Sequence, residues 1–184
     1  VPDYDLDLMA SNQTLESLTS KVLIGISDLL VEIKPDVVFV QGDTTTTFAS
    51  TLAAFYKMIP VAHIEAGLRT NNIYSPFPEE INRRMTTSMA SYHFPPTKQS
   101  QQNLLNEAVD KDTIKIAGNT VIDALLTVSN KIDKETDKYD NYFSESYNIH
   151  FNHKKTILVT GHRRESFGGG FENICEAIKQ IAEQ

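Results

Sequence analysis

The sequence predicts an α/β protein built on doubly wound parallel sheet, and three observations carry that reading. The apolar runs "DVVFV" (residues 36–40) and "IPVAHIE" (residues 59–65) lack polar alternation, as strands buried on both faces do. The stretches between such runs repeat apolar residues every three or four positions, the spacing of helices. The rhythm recurs along most of the chain, and strands alternating with helices of these lengths build parallel sheets.

Taken in order, Leu15, Leu18, Val22, Ile26, Leu29, Leu30 and Ile33 predict an amphipathic helix from Ser11 to Lys34, ended by Pro35. "DVVFV" is the first strand. Gly42, Asp43 and Thr44 turn into a helix over Thr45 to Tyr56, and "IPVAHIE" is the second strand. "PEEINRRMTTSMASY" is helical, with Pro78 in its first turn and Glu79 and Glu80 at the positive end of the dipole. "HFPPT" reads as a short strand, "KQSQQNLLNEAV" as a helix and "TIKIAG" as a strand. "NTVIDALLTVSNKI" is a helix that Asn119 or Thr120 caps. From Asp133 to Lys155 the pattern lapses into polar, tyrosine-bearing sequence with no clean period, which suits an interdomain connection. "TILVTGHRRESFGGGFENICEAIKQIAE" then starts a new strand, loop and helix.

The expected organisation is therefore a domain over residues 1–132 without its first strand, a connection over 133–155, and the opening of a second domain over 156–184. One strand and one helix do not make a domain. The chain is expected to be a piece of a longer protein, cut at both ends, and inactive by itself.

Composition narrows the function. With 184 residues, 40% of them hydrophobic, the chain can bury a core. A formal net charge of −7 argues against nucleic-acid binding, which needs a basic face, but leaves room for a local arginine cluster on a small anion. No stretch reaches the roughly 20 apolar residues of a membrane span, and "VPDYDLDLMASNQ" lacks the features of a signal peptide. A cytoplasmic protein with no membrane partner is the expectation. Cys175 is the single cysteine, which excludes an intrachain disulfide; its apolar helical pattern predicts a buried position.

In open parallel sheets ligands bind beyond the carboxyl ends of the strands, where Asp43 and Glu65 stand. Each has a plainer reading: Asp43 as the cap of the Thr45 helix, Glu65 as a partner for Arg69. Glu79, Glu80, Arg83 and Arg84 could likewise be ion pairs on a solvated helix. "GHRRESFGGG" sets His162, Arg163 and Arg164 after a strand and before a glycine-rich turn into a helix, an arrangement suited to phosphate. "QGDTTTT" is not a dinucleotide-binding turn, and the five histidines show no zinc spacing, so neither cofactor nor metal is expected.

Six ordered motifs, "QGDTTTT", "HIEAGLRT", "SPFPEEINRR", "HFPPT", "GNTVIDAL" and "TGHRRESFGGGFENI", resemble the non-hydrolysing UDP-N-acetylglucosamine 2-epimerases. The resemblance implies two Rossmann-like domains facing across a cleft on the B-type glycosyltransferase-like plan, and interconversion of UDP-N-acetylglucosamine and UDP-N-acetylmannosamine. It implies Asp43, Glu65, Glu79 and His162 as catalytic residues, with Asp43, Glu65, His162, Arg163 and Arg164 binding substrate. It also implies no cofactor and a homodimer when full-length. The family's opening glycine-threonine-arginine-proline-glutamate turn is absent here, as is most of the second domain. The competing readings are the hydrolysing relative, a glycosyltransferase of the same fold, and a non-catalytic sugar-nucleotide sensor.

Overall fold

Helix α1 (Leu15–Ile33) starts where Thr14 leaves extended backbone and its Oγ1 accepts the N–H of Ser17 at 3.2 Å. It stops at Lys34, whose left-handed backbone (φ +51°) closes the last turn ahead of Pro35. In this computed structural model, which describes residues 2–151, 156–160 and 169–182, the chain divides into two compact units, Val1–Thr120 and Val121–Gln184.

The first unit continues through β1 (Val38–Gln41), α2 (Thr45–Tyr56), β2 (Val61–Ile64), α3 (Glu79–Met89), β3 (Tyr92–Phe94) and α4 (Lys98–Asn106). The three strands form a parallel sheet in the order β1-β2-β3, with Gln41 level with Ile64 and Ile64 level with Phe94. That register brings the strand ends into line, so the turns that leave them share one edge. Helix α2 packs on α1, α3 and the sheet. It can approach closely because its inner face is small: Ala49, Thr51, Ala53 and Ala54 are fully buried. Leu30, Val40, Ala53, Ala54 and Val61 form the apolar core, with Leu23, Ile26, Val38 and Ile59 packed around it. Burying a side chain of valine or leucine size contributes about 1.5–3 kcal/mol, which makes this cluster the main support of the strand ends.

Three expectations are corrected. β1 is not buried on both faces: Phe39 is exposed and Val40 buried, because the helices that cover it, α1 and α2, pack on the Val40 face. "TIKIAG" forms no full strand but runs beside β3: Ile114 bridges His93, and the N–H groups of Lys115 and Ala117 donate to the His93 and Pro95 carbonyls at 2.9 and 3.1 Å, after a short 3-10 turn (Lys111–Thr113). The described part of "TILVTG", residues 156–160, carries no strand. A strand needs a neighbour, and among the described residues of the second unit the regular elements are helices: α5 (Thr120–Lys134), α6 (Thr136–Tyr147) and α7 (Gly169–Ala182).

Helix α6 falls inside the stretch read as a connection. Its aromatic residues interlock, with Phe143 meeting Tyr142, Tyr147 and Phe151 at ring separations of 5.4–6.0 Å. Cys175 is helical, on α7, but exposed. The apolar faces of α5 and α7, including Leu125, Leu126, Ile178 and Ile181, are exposed as well.

Candidate active site at the strand ends

The site begins with a turn that requires glycine. Gly42 has φ +75°, and its N–H donates to the Ile64 carbonyl at 3.0 Å, which carries the β1–β2 pairing into the turn. His63, fully buried in the middle of β2, donates from Nε2 to the Gly42 carbonyl at 2.8 Å. The turn is thereby pinned to β2 by backbone and side chain together. Asp43 follows at once, and Thr44, not Asp43, caps α2: its Oγ1 accepts the Thr47 N–H at 3.2 Å. The Asp43 carboxylate is thus released from capping.

That carboxylate turns instead to α3. Asp43 Oδ2 accepts from Arg83 Nη2 at 2.5 Å, and the Asp43 carbonyl accepts from Asn82 Nδ2 at 3.0 Å. Glu65 stands at the end of β2 with φ +68°, a backbone state that costs a non-glycine residue about 1 kcal/mol or more and recurs at functional positions. Its N–H and that of Ala66 both donate to the Phe94 carbonyl, at 3.0 and 3.3 Å, and so hold the strained turn. Glu65 Oε2 lies 3.6 Å from where a Cβ on Gly42 would sit, which puts it beside the turn that carries Asp43. Burial, reinforced by the charge of Asp43, pushes the Glu65 carboxyl above its usual range, with Arg83 opposing. The two carboxyls therefore stand in different surroundings, Glu65 raised by burial and Asp43 paired with an arginine.

Glu79 occupies the first turn of α3, and its Oε2 is buried without a hydrogen-bond partner among the described residues. An unpaired buried carboxylate oxygen is costly, and Glu79 shares this state with Nδ1 of His63, Nε of Arg83 and Oγ1 of Thr86. The sequence-predicted residues His162, Arg163 and Arg164 lie outside the described residues.

The plainer readings do not hold here. Arg69 does not pair with Glu65; its side chain, 2% exposed, makes a fork with Glu107 at 2.7 Å through both nitrogens and also reaches Thr87. Helix α3 carries the expected i,i+4 pair, Glu80 with Arg84, but it is not a solvated helix. Its buried face is polar: Glu80, Asn82, Arg83, Thr86 and Thr87. Glu80, fully buried, accepts from the N–H groups of Thr70 and Asn71 at 3.1 and 3.3 Å and from Arg84 at 3.1 Å, and sits 3.4 Å from Arg83. Gly67, in the loop between, passes so close to α4 that a Cβ there would lie 2.2 Å from the Ser100 carbonyl oxygen.

His63, Asn82 and Arg83 were missed as site residues. The signals were present: a histidine inside an otherwise apolar strand two residues before Glu65, and polar residues recurring at helical spacing after Glu79. Burial, joined by the charges of His93 and Arg69, depresses the His63 imidazole to about 4 against its hydrogen bond to Gly42 and the charge of Asp43. A depressed base gives stability that is complete above about pH 6.5 and lost as pH falls toward 4, because the unfolded chain binds the proton first. We expect urea unfolding to show the stability deficit of His63→Gln shrinking by roughly 3 kcal/mol between pH 7 and pH 4. A pH-independent deficit would contradict the buried neutral ring.

Among the described residues no group of histidine, cysteine and acidic side chains could hold a metal ion, and no helix is long and apolar enough to cross a membrane.

The model of the family described as UDP-N-acetylglucosamine 2-epimerase matches residues 1–184. The chain is 56% identical over 182 residues to the UDP-N-acetylglucosamine 2-epimerase of Escherichia coli K12, covering 99% of this chain and 48% of that protein. It is 54% identical to a probable UDP-N-acetylglucosamine 2-epimerase of Ralstonia solanacearum, over 98% of this chain and 48% of that one. Its fold matches the crystal structure of UDP-GlcNAc 2-epimerase from Neisseria meningitidis bound to UDP-GlcNAc, with a TM-score of 0.90 and 48% identity, covering 98% of this chain and 48% of that chain. The Methanocaldococcus jannaschii UDP-GlcNAc 2-epimerase in complex with UDP-GlcNAc and UDP gives 0.79 at 37% identity, over 100% of this chain and 48% of that one. The chain spans about half the length of the curated relatives it matches.

Proposed function

The chain belongs to the UDP-N-acetylglucosamine 2-epimerase family, and on that premise we propose that it contributes the carboxylate side of a site that interconverts UDP-N-acetylglucosamine and UDP-N-acetylmannosamine. The observation that carries the reading is that Asp43 and Glu65 leave adjacent strand ends on either side of the Gly42 turn, one carboxylate tied to Arg83 and the other raised in pKa by burial and the Asp43 charge.

The chemistry explains the need for several carboxylates. The C2 hydrogen of the sugar is not acidic until C1 becomes electron-poor. The C1–O bond to UDP breaks first, its electron pair leaving with the diphosphate, and Asp43 faces the positive charge that develops at C1. Glu65 or Glu79 takes the C2 proton, and the C–H pair becomes the C1=C2 bond of a 2-acetamidoglucal. Return of a proton to the opposite face of C2 and re-addition of UDP to C1 give the epimer. Inversion needs either two acid/base groups on opposite faces or an intermediate that turns over within the site, and Glu65 and Glu79, which arise from different elements, suit the first. His162, Arg163 and Arg164 keep the role the resemblance gives them, binding the departing diphosphate.

In this reading the protein is a cytoplasmic homodimer that supplies activated N-acetylmannosamine for cell-surface polysaccharide. Product analysis tests it: the intact protein given UDP-N-acetylglucosamine should yield UDP-N-acetylmannosamine, with free UDP a minor product. Stoichiometric release of UDP and free N-acetylmannosamine would instead assign it to the hydrolysing type.

A further inference from the structure

Arg83 is the one described cation in direct contact with Asp43, and it serves two carboxylates from two elements: Nη2 on Asp43 at 2.5 Å and Nη1 on Glu80 at 3.4 Å. The second contact is an ion pair, longer than a hydrogen bond, to a carboxylate that is itself well held. Glu80 is fully buried, and its oxygens are fixed by the N–H groups of Thr70 and Asn71 and by Arg84. A guanidinium is planar, so an anchor on one nitrogen sets the direction of the other. The anchored fork therefore dictates which way the Asp43 carboxylate faces: Oδ2 is taken by Arg83, and Oδ1 is left for substrate.

We propose that Arg83 is a positioning residue of this site, holding Asp43 in its working orientation from the buried Glu80 anchor, and that the loop at Thr70–Asn71 is thereby coupled to the reacting end of the substrate. The proposal rests on the epimerase reading above. Arg83 touches no reacting atom in it; it acts through Asp43.

That dependence makes a specific pattern in a double-mutant cycle. In the intact protein, Arg83→Gln should lower kcat by about tenfold or more while KM stays within about threefold, since orientation matters most in the transition state. Asp43→Asn combined with Arg83→Gln should be no more than about threefold slower than Asp43→Asn, because an arginine that works through Asp43 has nothing left to position. Arg83→Lys keeps the charge without the fork and should recover only part of the loss; it carries the same cycle if Arg83→Gln does not fold, as judged by circular dichroism and urea unfolding. Losses that multiply, or Arg83→Gln turnover within about threefold of wild type, overturn the positioning role while leaving the epimerase reading in place, provided wild type epimerises and Asp43→Asn is slow. A wild-type protein that does not epimerise, or an Asp43→Asn as fast as wild type, overturns both.

Discussion

Glu65→Gln is expected to lower kcat for epimerisation in the intact protein by about 10²-fold or more, with the fold preserved, and Asp43→Asn and Glu79→Gln by similar factors. The amide has the size of the carboxyl but is not a proton acceptor of use at C2, and it bears no charge to offer a developing cation. Glu65 is the sharpest case because its environment has been set for this work. Its strained backbone is held by two hydrogen bonds to Phe94, and burial together with Asp43 raises its carboxyl. Steady-state kinetics beside urea unfolding check the result. Turnover within about threefold of wild type at any of the three positions would return that residue to a structural role.

Glu80→Ala is expected to cost about 3–5 kcal/mol of stability, the range for removing one partner from a buried ion pair. The residue is fully buried, and its loss strips the acceptor from two backbone N–H groups and an anion from Arg83 and Arg84. Burial opposes the Glu80 charge, yet the Thr70 N–H and the two arginines outweigh it and hold the carboxyl below its ordinary value. Its contribution is therefore present above about pH 4.5 and lost as pH falls through the lower folded value. Urea unfolding at pH 7 should show the deficit, and a change under about 1 kcal/mol would mean that the loop and α3 hold together without it.

Much of this arrangement was legible in the residues, and the exceptions have physical causes. The bounds of α2 were legible from the turn residues before it, a short strand was legible at "HFPPT" although the ladder runs Tyr92–Phe94, and the strand-end rule drew attention to Asp43 and Glu65. Burial of β1 did not follow, because a run such as "DVVFV" records what the strand can bury and not whether a helix covers each face. Helix α6 was missed although Tyr139, Tyr142, Phe143 and Tyr147 recur at helical spacing, because that stripe is aromatic and set among polar residues. The polar inner face of α3 was hidden for a related reason. Hydrophobic periodicity finds buried faces only when they are apolar, whereas Asn82 and Arg83 are buried against the Asp43 turn and Glu80 against the Thr70–Asn71 loop and the arginines. The partner of Arg69 lay 38 residues away at Glu107, beyond any local spacing rule.

The account turns on whether a proton leaves and re-enters at C2. The most direct measurement is epimerisation of UDP-N-acetylglucosamine by the intact protein in heavy water, followed by NMR at the C2 position of both sugars. Elimination and re-addition at the Asp43, Glu65 and Glu79 carboxylates predict deuterium at C2 in both epimers. Epimers formed with the C2 hydrogen fully retained would contradict it.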